Sequence, residues 1–154
     1  MFKVAVQEAD FDVSTLQSEL QGDAAKEGAC VTFTGYVRGQ NQQRDVHCML
    51  LEHYPQMTEK SIHKIVTEAA DRWPLLAASV VHRIGKLYPA DQIVWVGTCS
   101  AHREASFAAC EFIMDYLKND APFWKKELGP QGDQWVEAHE KDQARARRWR
   151  IDTE

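Results

Sequence analysis

Short apolar stretches predict several β-strands along the chain. Residues 2–6 alternate between apolar and polar side chains, and residues 29–37 are rich in β-branched and aromatic side chains. Residues 46–54 predict a second long strand of the same kind. We expect the strands 29–37 and 46–54 to pair as a hairpin, with the polar segment 38–44 as a mobile loop between them.

Two segments in the first half of the chain have helical spacing. Residues 13–20 predict a short helix with Ser14 as its N-cap. A second helix is predicted to begin at Thr58, because threonine is a favoured N-cap and an acidic residue follows in the first turn. Its apolar positions keep helical spacing up to Pro74, which cannot continue a helix.

The second half predicts a buried strand that leads directly into a third helix. Residues 93–99 are almost continuously apolar, which is typical of a strand buried on both faces. The helix that follows covers about residues 102–118, with Ser100 as its predicted N-cap and Pro122 beyond its end.

The remaining pattern completes the fold class. Residues 77–84 predict a strand, residues 85–91 a turn-rich connection, and residues 134–138 a last strand. From about residue 140 the chain is a polar tail that we expect to be mobile. The order of strands and helices predicts one domain over residues 1–154, of the α/β (α+β) class, with a mixed sheet and two main helices.

Composition narrows the class of protein. The chain has 154 residues, of which 44% are hydrophobic and 27% charged, and its formal net charge is −5. These values are ordinary for a globular domain, and the acidic balance argues against a general nucleic-acid-binding protein. The N-terminus lacks the layout of a signal peptide, and no apolar run reaches membrane-spanning length. We therefore expect a soluble, cytoplasmic protein.

The cysteines and histidines show no metal-binding pattern. The cysteines lack Cys-x-x-Cys spacing and most of them lie in apolar segments, so buried free thiols are predicted instead of disulfides or a zinc site. The histidines lack metal-ligand spacing, and no P-loop, dinucleotide-binding or nucleophile-elbow motif is present. The cysteines are Cys30, Cys48, Cys99 and Cys110.

Basic side chains around the third helix carry the candidate chemistry. His102 and Arg103 stand at its N-terminus, where free backbone N–H groups and a guanidinium can hold a phosphate. Lys118 stands in its last turn, and Lys125 follows a Pro-Phe-Trp segment. Arg38 lies where a predicted strand enters a polar loop, and it is a further candidate contact for an anion.

Each of these residues also has a purely structural interpretation. A cation at a helix C-terminus is generally favourable, and Lys125 could pack its aliphatic stem on Trp124 with its ammonium in water. Arg38, His102 and Arg103 could simply point into solvent. A lysine that aromatic side chains cover can instead have a lowered pKa and act as an acid, a base or a nucleophile. The residues alone leave both interpretations open.

Several segments, in order along the chain, form a more specific pattern. They are residues 31–38 (VTFTGYVR), 51–60 (LEHYPQMTEK), 82–85 (HRIG), 100–103 (SAHR), 114–118 (MDYLK) and 121–127 (APFWKKE). Together these segments resemble the catalytic (large) subunit of molybdopterin synthase. Any one of them is weakly specific, whereas the ordered series, from about residue 28 to residue 149, is highly specific.

The resemblance implies a fold, an assembly and a reaction. It implies an α/β hammerhead fold and a homodimer that carries one small ubiquitin-like sulfur-carrier subunit at each end, which gives a heterotetramer. The carrier's C-terminal Gly-Gly thiocarboxylate would enter the active site. Its sulfur would pass to cyclic pyranopterin monophosphate in two rounds to make the dithiolene of molybdopterin, and this step would need no metal or cofactor.

The resemblance also implies which residues form the site. Lys118 and Lys125 match the two active-site lysines of the family. Arg38, His102 and Arg103 would reach the substrate pocket across the dimer interface from the neighbouring subunit. The full set implied for substrate binding is Tyr36, Val37, Arg38, His102, Arg103, Lys126 and Glu127.

Some positions depart from the usual pattern of the family. The family often has a lysine at the position of Tyr36, and Arg-Asn-His where Arg38, Gly39 and Gln40 stand here. His139 stands where an arginine is common. These departures leave both lysines in place but change the set of groups that could share the phosphate.

Two other functions are compatible with parts of the sequence. The arginine-rich tail around Trp149 could bind an anion or a nucleic acid, although a frayed and solvated helix is the simpler interpretation. Loss of binding after removal of the residues beyond Lys141 would favour such a binding module. A scaffold that holds the carrier without chemistry is the third hypothesis, and an active Lys118→Ala variant with full partner affinity would favour it.

Overall fold

The computed structural model describes residues 1–22, 25–136 and 140–150. The elements in chain order are β1 (Phe2–Gln7), α1 (Val13–Leu20), β2 (Ala29–Tyr36), β3 (Gln40–Asn41), β4 (Arg44–Asp45), β5 (Cys48–His53), α2 (Met57–Arg72), β6 (Leu75–Arg83), β7 (Gly85–Leu87), β8 (Gln92–Ser100), α3 (Arg103–Leu117), β9 (Phe123–Leu128), β10 (Gln134–Val136) and α4 (Glu140–Arg147). The α/β class, a mixed sheet and two long helices, α2 and α3, are confirmed. In these described ranges, no helix combines the length and apolarity needed to cross a membrane.

The first sheet is mixed, and β8 lies inside it. Its order is β1-β6-β8-β2, with β1 and β6 parallel and the other neighbours antiparallel. All of β8 after its first residue is buried, which confirms the predicted strand covered on both faces. Val80 and Val96 belong to the main core with α2 and α3, whereas Val81 and Trp95 belong to a smaller core with α1.

The second sheet is antiparallel, with the order β10-β9-β5-β7. The predicted hairpin of residues 29–37 with residues 46–54 is wrong, because β2 pairs with β8 in the first sheet while β5 pairs with β7 and β9 in the second. The polar segment between them contains a short hairpin, β3-β4, where we expected only a loop. The segment expected to be all turns contributes strand β7.

Strand β9 is an element that the sequence pattern does not predict. Its residues combine two aromatic side chains with three charged ones, so they lack the β-branched pattern of a strand. Pairing with β5 on one side and β10 on the other holds the segment extended. The alternation of a strand then turns Phe123, Lys125 and Glu127 to one face and Trp124 and Lys126 to the other.

The main core joins both sheets to the two long helices. Phe112 of α3 and Ile62 of α2 are fully buried in it, together with Leu51 of β5 and Leu87 of β7. Each such side chain stabilises the fold by about 1.5–3 kcal/mol through the apolar surface that it buries. The helix α3 is therefore firmly held, and the residues at its two ends have fixed positions.

The caps of the first two helices differ from the predictions. Asp12 caps α1 by accepting a hydrogen bond from the Thr15 N–H at 2.9 Å, so Ser14 is not the cap. Thr58 lies within the first turn of α2 and is not its N-cap. Its hydroxyl accepts a hydrogen bond from the Tyr54 N–H and donates one to the Pro122 carbonyl, each at 3.0 Å. Thr58 thus ties the start of α2 to the start of β9.

The N-cap of α3 is His102, and the prediction of Ser100 is wrong. Ser100 is the last residue of β8, where it is completely buried. Its hydroxyl donates to the His102 carbonyl and contacts the Ser106 hydroxyl, each at 2.5 Å. Ser100 therefore fixes the turn from β8 into α3 without capping the helix.

A disulfide joins Cys30 of β2 to Cys99 of β8, whose Cα atoms are 4.3 Å apart. The prediction of free thiols is wrong for this pair and is confirmed for Cys48 and Cys110, which are free and buried. Chain spacing could not reveal the pair, because 69 residues separate the cysteines and only the register of two distant strands brings them together. The bridge attaches the edge strand β2 to its neighbour β8.

The described end of the chain docks on the main core through Trp149. Its ring contacts Trp73 and Phe112 edge-on, with centroid distances of 5.5 and 5.7 Å. Its Nε1 donates a hydrogen bond to Asp115 at 2.7 Å, and Arg148 donates to the same carboxylate at 2.9 Å. Composition predicts a frayed, solvated tail, and the structure differs. The large apolar surface of a tryptophan ring stabilises the docked arrangement when it is buried.

Candidate active site

Two adjoining cavities open where the end of β2, the end of α3 and strand β9 meet. Their volumes are about 430 and about 220 Å³. They share much of their lining, so we treat them as two parts of one site. The shared residues are Tyr36, Arg38, Ile93, Lys118, Phe123 and Lys125.

Lys118 and Lys125 reach the site from different elements. Lys118 is the C-cap residue of α3, and its side chain is exposed. Lys125 lies in β9 on the face that points inward, and its side chain is partly buried. The chain reverses direction after α3, which brings the two side chains to the same cavities. Lys125 therefore does not pack on Trp124, which lies on the opposite face of the strand.

The larger cavity has a mainly apolar lining. Arg38, His82, Lys118 and Lys125 are its ionisable lining residues other than Tyr36. A cavity of this kind can hold an uncharged, extended segment whose reactive end reaches the lysines. The apolar lining side chains are Phe33, Ile93, Val94, Met114, Leu117, Ala121 and Phe123.

The smaller cavity is more polar, because Asn41, Glu127 and Asp142 join the basic groups there. The Asn41 side-chain amide donates to the Glu127 carboxylate at 2.9 Å, and Arg38 donates to the Asn41 oxygen at 3.4 Å. Glu127 is buried, so this hydrogen bond compensates for the loss of water around its charge. Two ammonium groups and a guanidinium at one cavity favour an anionic ligand.

The pKa of Lys125 is well below the ordinary value for a lysine. Burial and, after it, the ammonium of Lys118 together lower the pKa of Lys125 from 10.5 to about 8, while Asp142 and Glu127 act in the opposite direction. A lysine with this pKa exchanges a proton close to neutral pH, which is what acid–base catalysis requires.

His82 of β6 is a site residue to which the sequence analysis assigns no role, although it lies in one of the segments that carry the resemblance. Its ring stacks on Phe123 with the centroids 3.9 Å apart, and Nδ1 is 2.7 Å from the Arg83 carbonyl. Burial, together with the ammonium groups of Lys125 and Lys118, lowers the pKa of His82 to about 3, although the hydrogen bond to the Arg83 carbonyl acts in the opposite direction. Asn41 and Asp142 are also new to the site, and nothing in their local sequence indicated it.

Arg38 and Tyr36 lie at the site of their own chain. Arg38 thus lies beside Lys118 and Lys125 of its own chain, because the end of β2 faces the end of α3, whereas the resemblance implies that it reaches the pocket of a neighbouring subunit. Gly39 and Gln40 are two of the positions that depart from the family pattern. The Gly39 carbonyl accepts a hydrogen bond from the Val46 N–H at 2.9 Å, and the Gln40 side-chain amide donates one to Asp45 at 3.2 Å.

The structure does not bring the other predicted site residues to these cavities. Val37 is 3% exposed and belongs to the main core. Lys126 points to the outer face of its sheet, with its ammonium 5.5 Å from the Trp135 ring centroid. His102 and Arg103 are exposed at the far end of α3.

The length of α3 separates His102 and Arg103 from the two lysines. The helix has 15 residues, which corresponds to about 22 Å at 1.5 Å per residue. A single small phosphate cannot span that distance. His139, the remaining departure from the family pattern, lies outside the described residues.

The arginine-rich tail is engaged with its own chain where the structure describes it. Arg148 forms ion pairs with Glu111 at 2.5 Å and Asp115 at 2.9 Å, and Arg72 donates to the Trp149 carbonyl at 2.5 Å. These contacts disfavour a nucleic-acid-binding role for Arg148 and Trp149. Within residues 1–22, 25–136 and 140–150, no group of three or more His, Cys, Asp or Glu side chains is arranged to hold a metal ion.

Comparison with known proteins identifies a single family. The model of the MoaE protein family matches residues 6–120. The molybdopterin synthase catalytic subunit of Escherichia coli (strain K12) is 58% identical over 124 residues, which cover 80% of this chain and 83% of the relative. The molybdopterin synthase catalytic subunit of Pseudomonas aeruginosa is 53% identical over 146 residues, which cover 95% and 97%.

Solved structures agree with these matches. The molybdopterin biosynthesis MoaE protein from Burkholderia ambifaria MC40-6 superposes with a TM-score of 0.84 at 47% identity, covering 99% of this chain and 100% of that one. A more distant likeness, with a TM-score of 0.70 at 18% identity and coverage of 90% and 91%, is to a protein–protein complex of subunits 1 and 2 of the molybdopterin-converting factor from Helicobacter pylori 26695. At that identity the likeness concerns the fold.

Proposed function

The chain belongs to the MoaE protein family, whose curated relatives are molybdopterin synthase catalytic subunits, and from this membership we propose how its site works. The protein is an enzyme of molybdenum cofactor biosynthesis. It transfers sulfur from the thiocarboxylated C-terminus of a small ubiquitin-like carrier subunit to cyclic pyranopterin monophosphate. Two rounds of transfer make the dithiolene of molybdopterin.

The convergence of Lys118, Lys125 and Arg38 on two joined cavities carries this proposal. The reaction needs an entry for an uncharged peptide tail, a place for a phosphate, and a proton-transfer group between them. The larger, apolar cavity suits the Gly-Gly tail, because glycine backbone passes a narrow opening without side-chain clashes. The smaller, more polar cavity suits the phosphate-bearing pterin.

The two lysines have different roles in this scheme. The ammonium of Lys118 holds the thiocarboxylate end of the carrier and the reacting carbon of the substrate. Lys125, whose pKa is about 8, takes and returns protons while the carbon–sulfur bond forms and the cyclic phosphate opens. Water then splits the acyl–sulfur bond, so that the sulfur remains on the pterin and the carrier leaves with a carboxylate. Arg38 binds the phosphate from the same chain.

A homodimer would complete the site. His102 and Arg103 are exposed at the far end of α3, and the exposed ring of Phe107 lies one turn further along the same helix. In a dimer that brings this end of one α3 to the cavities of its partner, His102 and Arg103 supply further phosphate contacts. One carrier at each end of the dimer gives a heterotetramer. Tyr36 and Glu127 line the cavities and complete the binding site. Val37 and Lys126 belong to the same segments and act only by holding them in place, Val37 in the core and Lys126 on the outer face of its sheet.

Two broader expectations accompany the proposal. The main core contains residues from both sheets and also Trp149, which supports a single domain over the chain. The reaction is expected in the cytoplasm, where cell fractionation would locate the protein.

The proposal is tested by reconstitution. The purified protein is mixed with a thiocarboxylated carrier and cyclic pyranopterin monophosphate, and the dithiolene product is assayed. A carrier that ends in an ordinary carboxylate is the matched control and should give no product. Absence of product with the thiocarboxylated carrier, when carrier binding is intact, would reject the enzymatic role and leave the scaffold hypothesis.

A further inference from the structure

His82 is a buried ionisable residue that the roles proposed above leave unused. It lines the larger cavity together with Phe123, Lys118 and Lys125, and only 6% of the residue is exposed. A buried polar ring at the wall of an apolar cavity requires a reason, because burial without hydrogen bonds is costly.

Contacts on two sides hold the His82 ring in one orientation. Phe123 stacks on its face at an interplanar angle of 18°, and Nδ1 lies 2.7 Å from the Arg83 carbonyl oxygen. A carbonyl oxygen only accepts hydrogen bonds, so Nδ1 carries the hydrogen and Nε2 carries a lone pair. Among the described residues, none forms a hydrogen bond with Nε2.

The charge state of His82 supports the same assignment. Burial and the neighbouring ammonium groups of Lys125 and Lys118, which disfavour a further positive charge, lower its pKa to about 3. The ring is therefore neutral at physiological pH, and Nε2 offers a hydrogen-bond acceptor there.

The larger cavity needs an acceptor of this kind if it holds a peptide. A backbone N–H that enters an apolar cavity loses its hydrogen bonds to water and needs a new acceptor. The guanidinium of Arg38 and the protonated lysines Lys118 and Lys125 are donors and cannot serve. The hydroxyls of Thr34 and Tyr36 also line this cavity and can accept, but both residues are more exposed to solvent than His82. The pterin has a different environment, since the carboxylates of Glu127 and Asp142 line the smaller cavity and can accept from its N–H groups.

We propose that Nε2 of His82 accepts a hydrogen bond from a backbone N–H of the carrier's Gly-Gly tail in the larger cavity. This inference rests on the proposed function, because it assumes that the tail of a thiocarboxylated carrier occupies that cavity. It makes His82 a residue that binds and aligns the tail, so that the terminal sulfur is directed to the lysines.

The test measures the affinity of three forms of the protein for two forms of the carrier. His82→Phe keeps an aromatic ring against Phe123 and removes the acceptor, whereas His82→Gln keeps an amide oxygen that can accept. Each is titrated calorimetrically with the full-length carrier and with a carrier that lacks the two terminal glycines. The truncated carrier reports any change in the rest of the interface.

We expect His82→Phe to bind the full-length carrier about tenfold more weakly than the wild type, which corresponds to about 1.4 kcal/mol. Its affinity for the truncated carrier should equal that of the wild type, and His82→Gln should retain most of the tail-dependent affinity. Equal binding of the full-length carrier by wild type and His82→Phe overturns the proposal. So does equal weakening for both carriers, or a glutamine variant as weak as the phenylalanine variant.

Two further controls keep the outcome clear. Thermal unfolding and near-ultraviolet circular dichroism check each variant, and His82→Leu replaces His82→Phe if the latter does not fold. Turnover of the wild type with thiocarboxylated carrier and cyclic pyranopterin monophosphate is measured in parallel. Failure of that turnover rejects the proposed function, whereas a normal wild type without the tail-dependent difference rejects only the role of His82.

Discussion

Lys118 and Lys125 are chemically identical side chains in different surroundings. Lys118 ends an α-helix with its ammonium exposed, whereas Lys125 is partly buried on the inner face of a strand. In the proposed scheme this difference gives each lysine its own role, since an exposed cation attracts an anion and a desolvated amine exchanges protons.

Replacement of Lys118 by alanine should nearly abolish sulfur transfer and leave the fold intact. A lysine at a helix C-terminus contributes only about 0.3–1 kcal/mol to stability, whereas loss of a catalytic group costs about 10²–10⁴-fold in rate. Turnover and thermal unfolding are measured side by side. Lys86→Ala, which removes an exposed lysine outside both cavities, is the matched control and should behave like the wild type. Near-normal turnover of Lys118→Ala would contradict its catalytic role.

The activity should increase with pH through about pH 8. Lys125 is mostly protonated below its folded-state pKa of about 8 and becomes a neutral base above it, so the form that accepts protons accumulates as pH rises. The measurement is a profile of kcat/KM against pH, with Lys125→Ala expected to lose most of the activity and the inflection. A flat profile between pH 7 and 9 in the wild type would exclude Lys125 as the base.

Nuclear magnetic resonance of the lysine side chains gives an independent control of the same assignment. The pKa of Lys125 should be about 8 in the wild type. In Lys118→Ala it should move upward but stay below the ordinary value of 10.5, because burial, the larger cause of the shift, remains. An unchanged pKa in that variant would mean that the ammonium of Lys118 does not act on Lys125.

For single residues, the sequence indicates which side chains are candidates for the site better than it indicates which residues they contact. Lys118, Lys125 and Arg38 could be named as candidates because cations near helix ends and strand ends suit an anion, but only the resemblance to a family favoured a functional role over a structural one. The structure brings these three together. His82 and Asp142 could not be found in this way. Their place at the site depends on contacts between distant segments, which local spacing does not contain.

Among the elements, β2 depends most on a covalent link. It is the edge strand of the first sheet, and the bridge from Cys30 to Cys99 joins it to β8. The same strand ends beside the cavities, with Tyr36 and Arg38 at its exit. The bridge and the site thus share an element.

Reduction of this bridge should lower the free energy of unfolding by about 2–4 kcal/mol, because the unfolded chain gains freedom when a cross-link over 69 residues is removed. Urea unfolding of the wild type with and without a reductant measures the change. Cys30→Ser should have the lower stability without reductant and should not change when it is added. An oxidised wild type, verified by thiol titration, that loses no stability on reduction would contradict this expectation.

The elements with a strong apolar pattern in their own sequence could be predicted, whereas those that depend on pairing with a distant strand could not. Strand β8 and helix α3 follow from a continuous apolar run and a helical spacing that the local chain fully contains. Strand β9 and the disulfide depend on the pairing of strands that are distant in the sequence. The predicted hairpin of β2 with β5 is wrong because strands that follow one another along the chain need not belong to the same sheet. The helix caps were missed because several polar side chains near each end were equally plausible.

For the whole molecule, the proposed dimer makes each pocket composite. Arg38, Lys118 and Lys125 come from one chain, and Arg103 would come from its partner. An equal mixture of Arg103→Ala and Lys118→Ala, allowed to exchange subunits, should therefore regain activity. About half of the dimers are mixed and each has one intact pocket, so recovery should approach a quarter of the wild-type rate by the two-fold symmetry of the dimer.

The matched control for this mixture is Lys118→Ala with Lys125→Ala. Both changes affect the same chain's side of the pocket, so no mixed dimer contains an intact site and activity should not return. Subunit exchange is verified by native mass spectrometry. If exchange is complete and the first mixture stays inactive, each pocket belongs to a single chain, and His102 and Arg103 have another role.

The geometry of helix α3 limits which insertions of residues the helix can accept. Its 15 residues separate the groups at its two ends, and each residue turns the helix by about 100°. One inserted residue would rotate Lys118 away from the cavities relative to Arg103, while the loops elsewhere can absorb insertions at small cost. Insertions in α3 are therefore compatible with function only near whole turns, such as seven residues for about two turns, and even these would lengthen the separation of Arg103 and Lys118 along the helix by about 10 Å.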